Sequence, residues 1–316
     1  MKPIVALNSA TQATAFCDEA RQMLLDAGFE LRCNPGIRPT PDQLKEMVAG
    51  AYAIVAGTEK YTADVLEAAD SLKAIIRFGV GTDNFDLTAL REKQVAVGVI
   101  TNHDAVAEYA LTLILSLIKN LPRFDRAARD GQWARFPMRE LRGKTVGIVG
   151  FGRIGRRLAE LLGGFGVRLL VYDPFVSHEQ VRGYDGEKVV MDDLLARSDV
   201  VSLHLPYTAE THHIIGRENL AKMKPGAYLV NTARGPLVDE QALYAALTDG
   251  RLGGAALDVF EKEPITKDNP LFALDNVVVS PHAAALSLET NYNGSLICAR
   301  SIIRVYHGEA PLYPVK

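Results

Sequence analysis

The sequence predicts an α/β protein of two domains, each a parallel sheet flanked by helices, with a cleft between them. Short runs rich in β-branched residues alternate with helical stretches along the whole chain, which is typical of parallel sheets with helical crossovers. A chain of 316 residues is also too long for one small core. The elements around the last strand then indicate how the two domains are connected.

The first third of the chain contains enough elements for one sheet. The predicted strands are residues 4–7, 30–33, 53–56, 74–77 and 95–98. The predicted helices are residues 13–27, 41–48, 62–69 and 87–92. A helix lies in each interval between strands, as parallel pairing requires.

The middle of the chain contains a second series of six predicted strands. They are residues 145–149, 168–172, 200–204, 227–231, 255–258 and 277–280. One long helix, residues 287–307, remains after them, and we expect it to bury its apolar face on the first domain. The predicted domains are therefore residues 1–98 with 284–316, and residues 99–283. Two chain crossings between them place a ligand cleft at the hinge.

Gly150, Gly152 and Gly155 form a Gly-x-Gly-x-x-Gly pattern between a buried strand and a helix. Such glycines permit a tight turn and let the backbone approach a pyrophosphate at the helix N-terminus. Asp173 follows the next strand, where a carboxylate can bind a ribose hydroxyl. The combination predicts a Rossmann-like dinucleotide-binding domain, and Asp173 favours NAD because it would repel a 2′-phosphate.

Composition excludes several other classes of protein. The 35 basic and 38 acidic residues leave a net charge of −3, so we expect no binding to nucleic acid or to an anionic membrane. The longest apolar stretch, residues 110–118, is too short to span a bilayer. The chain begins with a strand-like segment instead of a signal peptide, which predicts a cytoplasmic location.

Neither the cysteines nor the paired histidines predict a metal site. Cys17, Cys33 and Cys298 are scattered without the spacing of metal ligands, so we expect reduced thiols. His212 and His213 are adjacent, and we expect their side chains to point apart with no third ligand near them. No bound metal is expected.

Five motifs in order make the sequence resemble the D-2-hydroxyacid dehydrogenases, in particular the short D-3-phosphoglycerate dehydrogenases. The motifs are residues 77–86 (RFGVGTDNFD), 143–157 (GKTVGIVGFGRIGRR), 203–216 (LHLPYTAETHHIIG), 223–239 (MKPGAYLVNTARGPLVD) and 254–264 (GAALDVFEKEP), the last leading to Ser280-Pro281-His282. The resemblance extends from about Thr62 to Val305. It implies two Rossmann-like domains, of which the first is flavodoxin-like.

The resemblance implies an NAD-dependent oxidoreductase that interconverts a D-2-hydroxy acid and its 2-keto acid. Arg234 matches the family's substrate arginine, and a guanidinium offers paired donors to a carboxylate. His282 matches the general acid–base, which protonates the carbonyl oxygen during reduction. Glu263 matches its carboxylate partner, which favours the protonated imidazole and orients the ring. Without the resemblance, each of the three is more often an ordinary loop residue, as Glu261 nearby is expected to be.

The resemblance also implies which residues contact NAD. Backbone amides of Gly152, Arg153 and Ile154 would meet the pyrophosphate, and Asp258 would accept a hydrogen bond from the nicotinamide amide. The full set of implied cofactor residues is Gly150, Gly152, Arg153, Ile154, Gly155, Asp173, His204, Pro206, Thr211, Thr232, Ala233, Asp258, His282 and Ala284.

The chain departs from the family pattern in three places. Residues 101–108 are a shorter segment than the family has before its Val-Ala-Glu helix. Residues 283–285 are three alanines, where most relatives have a glycine near the nicotinamide. Ala56 and Gly57 stand where many phosphoglycerate dehydrogenases have Arg-Ser.

The resemblance leaves more than one candidate substrate. The implied substrate contacts are the backbone amides of Gly79 and Val80, together with Arg234 and His282. D-3-phosphoglycerate and 3-phosphohydroxypyruvate form the first candidate pair, with Lys60 or Arg77 replacing the missing arginine. The alternative is a reductase of glyoxylate, hydroxypyruvate or another small 2-keto acid. A hypothesis of another class is an NAD(H)-sensing scaffold that resembles a corepressor.

The segments 106–118 and 121–133 are more apolar than one buried helix face requires. An exposed apolar surface of this size favours association, and in the family this region joins two cofactor domains. We therefore expect a homodimer.

Overall fold

The computed structural model describes residues 2–8, 16–34, 39–101 and 103–315. The chain divides into two units, Met1–Asn102 with Leu286–Lys316, and His103–Ala285. We call them the five-stranded unit and the seven-stranded unit. Both divisions lie a few residues beyond the boundaries predicted from the sequence, 98/99 and 283/284. At the first division, Ile100 is still fully buried in the core of the five-stranded unit, and the next helix begins at His103.

The five-stranded unit is built on a parallel sheet. Its strands are β1 (Ile4–Leu7), β2 (Glu30–Cys33), β3 (Ala51–Ala56), β4 (Ala74–Arg77) and β5 (Ala96–Val99). They are ordered β2-β1-β3-β4-β5, and every neighbouring pair is parallel. This order is typical of flavodoxin-like folds. The inner strands β3 and β4 are buried on both faces, which explains their continuous apolar sequences.

Four helices connect these strands: α1 (Asp18–Asp26), α2 (Pro41–Val48), α3 (Ala63–Glu67) and α4 (Leu87–Glu92). Thr40, Thr62 and Asp86 cap the last three, each accepting a hydrogen bond from a backbone amide of the first turn. The helix predicted over residues 13–27 begins at Asp18, and its predicted residues 13–15 lie outside the described part of the chain. Asn102, in the shortened segment 101–108, also lies outside it.

The seven-stranded unit contains a larger parallel sheet. Its strands are β6 (Thr145–Val149), β7 (Arg168–Tyr172), β8 (Gly186–Lys188), β9 (Val200–Leu203), β10 (Tyr228–Asn231), β11 (Gly254–Leu257) and β12 (Val277–Val279). The order is β12-β11-β10-β9-β6-β7-β8. Successive connections run in opposite directions from β6, so a topological switch point lies between β6 and β9, where ligands of open parallel sheets bind.

The prediction of an α/β fold with parallel sheets is confirmed, but the prediction of six strands in this unit was wrong. The missed strand, β8, has the sequence Gly-Glu-Lys and pairs only with β7 at the edge of the sheet. A three-residue polar edge strand has no apolar run by which it could be recognised.

The remaining helices of this unit are α5 (His103–Ile118), α6 (Leu121–Arg129), α7 (Arg153–Leu162), α8 (His178–Arg182), α9 (Met191–Arg197), α10 (Arg217–Lys222) and α11 (Glu240–Thr248). Apolar residues of α5, among them Ala110 and Ile114, are buried in one core with Ile148 of β6 and Leu158 of α7. α6 ends at Arg129, and Gly131 just beyond it takes a positive φ of 72° that leaves the helical conformation. The apolar segment 121–133 therefore extends beyond the helix.

Among the described residues, no single helix is long and apolar enough to cross a membrane; α5 and α6 pass that test only as a pair, with a bend of 62° between them.

The last helix, α12 (Leu288–Tyr306), belongs to the five-stranded unit. Ser287 caps it by accepting from the Thr290 amide. Its apolar face, which includes Leu296, Ala299 and Ile302, is buried in the same core as Val5 of β1. The chain therefore leaves the five-stranded unit after β5 and returns to it with this helix.

Candidate active site

The sequence-predicted residues of the seven-stranded unit lie in the loops that follow the carboxyl ends of its strands. Gly150 follows β6, Asp173 follows β7 and His204 follows β9. The loops after β10, β11 and β12 carry the remaining residues, including the three proposed for catalysis. Since all seven strands are parallel, these loops share one edge of the sheet.

The glycine loop packs closely at Gly150 and Gly155 and is open at Gly152. Gly150 has a φ of 95°, and a Cβ there would lie 2.7 Å from the carbonyl carbon of His204. A Cβ on Gly155 would lie 2.3 Å from the Gly150 carbonyl oxygen, so helix α7 can approach the strand only with glycine. A Cβ on Gly152 would meet no atom within 4 Å. The open position is therefore the N-cap of α7, whose first turn begins at Arg153 and continues through Ile154.

Asp173 holds the glycine loop in addition to offering a carboxylate at the end of β7. Its Oδ2 accepts from the Phe151 amide at 2.7 Å, and its Oδ1 accepts from the Phe175 amide at 2.8 Å. The carboxylate therefore holds the loops after β6 and β7 together. Sequence reasoning assigned it only to a ribose hydroxyl, because its backbone partner lies 22 residues away.

The loop after β9 is held by its own side chains. His204 shares a hydrogen bond of 2.9 Å with the Ser202 hydroxyl through Nε2, and burial lowers the pKa of His204 to about 4, so the ring is neutral near pH 7. The Thr211 hydroxyl donates to the Pro206 carbonyl at 2.9 Å and accepts from the Thr208 amide at 2.7 Å. These contacts give the loop one shape.

Asn231, the last residue of β10, holds the loop that carries Arg234. It is fully buried, donates from Nδ2 to the Arg234 carbonyl at 2.8 Å, and accepts at Oδ1 from the Ala233 amide at 3.0 Å. Next to it in sequence, the buried Thr232 hydroxyl has no hydrogen-bond partner among the described residues. A buried hydroxyl without a partner is costly, and it fits a site that a polar ligand completes. Sequence reasoning assigned no role to Asn231.

The loops after β10 and β11 touch at Gly235. A Cβ at this residue would lie 1.9 Å from the carbonyl carbon and oxygen of Phe260. No side chain fits between the two loops. The backbone next to Arg234 therefore packs directly on the backbone that leads to Glu263.

His282 and Glu263 form a hydrogen-bonded pair. Nδ1 of His282 lies 2.8 Å from Oε2 of Glu263, whose other oxygen accepts from the Phe260 amide at 3.2 Å. Burial alone would raise the pKa of the Glu263 carboxyl. The hydrogen bond and charge of His282 act in the opposite direction, as do the Phe260 amide and the charge of Arg234. The pKa of Glu263 therefore lies below its ordinary value, and the carboxylate is ionised at neutral pH.

Asp258 holds the loop that carries His282. Its carboxylate is fully buried and accepts from the Ser280 hydroxyl at 2.6 Å and from the amides of Ala283 and Ala284 at 2.8 and 2.9 Å. Its backbone carbonyl accepts from the His282 amide at 2.7 Å. His282 itself has a φ of 54°, in the left-handed region that is strained for a non-glycine residue. The Asp258 contacts therefore hold a strained backbone in place.

One expectation about the neighbouring histidines was wrong. The rings of His212 and His213 do not point apart but stack, with centroids 3.9 Å apart and an interplanar angle of 22°. Glu261 is an exposed loop residue, as expected, and it also has partners: its Oε1 lies 2.6 Å from Nε2 of His213, and its amide donates to Glu240 at 2.7 Å. In the described part of the chain, no three His, Cys, Asp or Glu side chains converge as a metal site.

The candidate carboxylate-binding turn lies in the five-stranded unit, after β4. Gly79 is buried and Val80 is 40% exposed. The guanidinium of Arg77 is buried beneath them, donating to the Phe78 carbonyl at 2.9 Å and to the Gly81 carbonyl at 3.2 Å. Arg77 therefore shapes the turn from inside, whereas Lys60 is exposed.

Known proteins resemble the chain over nearly its whole length. It is 39% identical over 300 residues to D-3-phosphoglycerate dehydrogenase of Archaeoglobus fulgidus, a match that covers 94% of this chain but only 57% of that longer protein. It is 42% identical over 271 residues to glyoxylate reductase of Thermofilum pendens, covering 80% of this chain and 78% of the relative. The crystal structure of the TT0316 protein from Thermus thermophilus matches with a TM-score of 0.91 and 33% identity over 100% of both chains.

The sequence model described as "D-isomer specific 2-hydroxyacid dehydrogenase, NAD binding domain" matches residues 111–284, which lie within the seven-stranded unit. The glycine loop, the Asp173 carboxylate and the unpartnered Thr232 hydroxyl of that unit fit a bound NAD. The chain belongs to the D-isomer-specific 2-hydroxyacid dehydrogenase family.

Proposed function

We propose that this protein is an NAD-dependent oxidoreductase that interconverts a small D-2-hydroxy acid and its 2-keto acid. The observation that carries the proposal is the 2.8 Å pair between His282 and an ionised Glu263, at the strand ends that also carry Arg234. A histidine oriented by a carboxylate beside a guanidinium is suited to proton transfer on a substrate that bears a carboxylate.

The residues at the strand ends have defined roles in holding the cofactor. Amides of Gly152, Arg153 and Ile154, at the N-cap and in the first turn of α7, bind the pyrophosphate, and Asp173 binds the adenosine ribose. The Thr232 hydroxyl, which lacks a partner within the described chain, and the remaining acceptor capacity of Asp258 serve the nicotinamide. The cofactor path is completed by His204, Pro206, Thr211, Ala233 and Ala284.

Bound NADH supplies a hydride to C2 of the keto acid. Nε2–H of His282 donates its proton to the carbonyl oxygen, so the products are NAD⁺ and the 2-hydroxy acid. Glu263 accepts from Nδ1–H throughout, which directs Nε2 at the substrate and stabilises the imidazolium before transfer. Arg234 binds the substrate carboxylate with its paired donors. The amides of Gly79 and Val80, in the five-stranded unit, remain predicted substrate contacts. In the reverse direction neutral His282 takes the hydroxyl proton.

An unphosphorylated substrate, such as glyoxylate or hydroxypyruvate, agrees best with the five-stranded unit. Ala56 and Gly57 offer no cation, and the buried Arg77 guanidinium already donates to backbone carbonyls. Of the cations considered for a phosphate, only Lys60 is exposed. The named relatives include both phosphoglycerate dehydrogenases and glyoxylate reductases, so they do not distinguish the two kinds of substrate. The proposal of an unphosphorylated substrate is therefore based on Ala56, Gly57 and Arg77.

The proposal includes assembly as a homodimer. Leu121, Trp133 and Met138 of the seven-stranded unit are large apolar side chains that are 59%, 88% and 60% exposed. Exposed apolar side chains in one stretch of chain are typical of an association surface.

Turnover of His282→Ala tests the reaction. With a panel of 2-keto acids and NADH, we expect kcat to fall by about 10²–10⁴-fold, the usual contribution of a general acid, while NADH binding measured by fluorescence is retained. His307→Ala is the matched control, since His307 is an exposed histidine at the end of α12. Wild-type turnover in His282→Ala would refute the assigned role.

A further inference from the structure

His213 and Glu261 form an ion pair that joins two loops at the carboxyl edge of the seven-stranded sheet. His213 lies in the loop after β9, and Glu261 lies in the loop after β11. Nε2 of His213 is 2.6 Å from Oε1 of Glu261. An ionised carboxylate only accepts hydrogen bonds, so Nε2 carries the proton and donates it. None of the roles assigned above uses this pair.

The backbone of His213 is fixed independently of its side chain. Its φ of 49° lies in the left-handed region, which is strained for a residue other than glycine. Its amide donates to the Pro236 carbonyl at 2.8 Å, and the Ile215 amide donates to the Leu237 carbonyl at 2.9 Å. A strained residue held by its surroundings in this way is typical of functional sites. The imidazole therefore reaches Glu261 from a backbone that does not depend on the ion pair.

Glu261 is held from its other side by Glu240, the first residue of α11. The Glu261 amide donates to Oε1 of Glu240 at 2.7 Å, and the Glu240 amide donates to Oε1 of Glu261 at 3.3 Å. Oε2 of Glu240 accepts from the Asn269 side chain at 2.8 Å. The start of α11 thus fixes the backbone at Glu261, and His213 fixes its carboxylate.

The ion pair acts on the segment that carries the carboxylate partner of His282. Glu261 lies two residues before Glu263. Oε1 of Glu263 accepts from the amide of Phe260, the residue that precedes Glu261, at 3.2 Å. Glu261 is therefore enclosed between two residues that are hydrogen-bonded to each other. A displacement of Glu261 displaces the carboxylate that orients His282.

Stability alone gives little reason for this arrangement. The side chains of His213 and Glu261 are 35% and 36% exposed, and ion pairs at such positions add little to the free energy of unfolding. The reciprocal contacts of Glu240 and Glu261 also bring two like charges close together, which is unfavourable. The contacts do fix the position of a segment, and fixed supporting contacts are what a precise active site needs.

We propose that His213 is a positioning residue, which holds through Glu261 the segment whose carboxylate orients His282. The inference rests on the proposed function, since it concerns the orientation of His282 in that reaction. It assigns the His213 side chain to the chemical step and not to cofactor binding. The preceding part of the same loop has its own support, because the Thr211 hydroxyl bonds the Pro206 carbonyl and the Thr208 amide.

Steady-state kinetics separate this role from a structural one. His213→Ala should lower kcat for the best 2-keto acid by about tenfold, because small misplacements of a reacting group are costly. KM for the acid, the dissociation constant of NADH and the thermal midpoint should stay close to their wild-type values. His213→Gln keeps an N–H donor near the position of Nε2, so it should restore most of kcat. An equal loss of kcat in both variants would refute the role of the hydrogen bond.

His212→Ala is the matched control. It removes the neighbouring imidazole, whose ring stacks on His213 at 3.9 Å, and leaves the ion pair with Glu261 in place. Its kcat should equal that of the wild type, and a fall as large as in His213→Ala would assign the effect to the stacked rings and contradict the proposal. Adding His213→Ala to Glu261→Ala should cause no further loss of kcat, whereas additive losses would show that the two residues act separately.

Nuclear magnetic resonance of the His282 ring nitrogens tests the positioning without turnover. In protein with isotope-labelled histidine, the His282 signals are identified by their absence in His282→Ala. They should shift in His213→Ala and return toward the wild-type values in His213→Gln. Unshifted His282 signals in His213→Ala would refute the inference, whatever the turnover. If the wild type oxidises NADH with no 2-keto acid, the proposed function fails, and these signals still decide whether His213 positions His282.

Discussion

Replacing Asp258 by asparagine removes one charge from the support of His282 while keeping the side-chain shape. The Asp258 carboxylate accepts from the Ser280 hydroxyl and from the amides of Ala283 and Ala284. An asparagine can accept with only one of its two terminal atoms. With its oxygen at the Oδ1 position, its NH₂ group faces the Ala284 amide, donor against donor.

The magnitude follows from these contacts. One buried amide left without an acceptor costs about 1–3 kcal/mol, and each of the two other bonds weakens from about 1.5–3 to about 0.5–1.5 kcal/mol on losing the charge. Relief from burying a charge offsets part of the sum, so we expect a loss of about 2–4 kcal/mol in the free energy of unfolding. For a unit of this size that corresponds to a fall of about 5–15 °C in the thermal midpoint.

The assay combines calorimetry with turnover. Because the backbone of His282 is strained and held by Asp258, we also expect kcat to fall by about 100-fold, as small misplacements of a catalytic group do. Asp275→Asn is the control: Asp275 is 65% exposed and its ion pair of 3.3 Å with Arg126 is worth at most about 1 kcal/mol. An Asp258→Asn variant with wild-type midpoint and turnover would refute the argument that these hydrogen bonds position His282.

Two further predictions concern acid stability and assembly. Because the pKa of Glu263 lies below its ordinary value of 4.5, its ionised form stabilises the folded state above that pH, and this contribution is lost as the pH falls through the folded-state pKa. The thermal midpoint of Glu263→Gln should therefore fall less than that of the wild type on acidification below about pH 5. An equal fall in both proteins would contradict the stabilising pair of Glu263 and His282. Light scattering should give a solution mass of twice the 34.4 kDa chain, with Trp133→Glu shifting it toward one chain; a wild-type monomer would contradict the dimer.

The alternation of apolar runs was sufficient to predict the architecture, and the missed strand has a local cause. The inner strands of both sheets are buried on both faces, so their sequences are recognisable without context. β8 was missed because its stability comes from pairing with β7, and not from apolar residues of its own.

The chemical identity of the site residues was recognisable from motifs, whereas their supporting contacts were not. Asn231 holds the loop of Arg234, and Asp258 holds the loop of His282, through hydrogen bonds whose partners only folding brings together. The same applies to Arg77, since only the structure places its guanidinium inside the turn. The missing partner of the buried Thr232 hydroxyl likewise has no signature in the sequence.

The contact between Gly235 and the Phe260 carbonyl has a consequence for protein engineering. Since no side chain fits between them, the backbone segments that carry Arg234 and Glu263 are in direct contact, and a displacement of one segment displaces the other. Libraries that randomise either segment will mostly yield inactive variants, because each change disturbs both groups. Substitutions in the five-stranded unit, a different unit of the chain, leave this rigid junction intact.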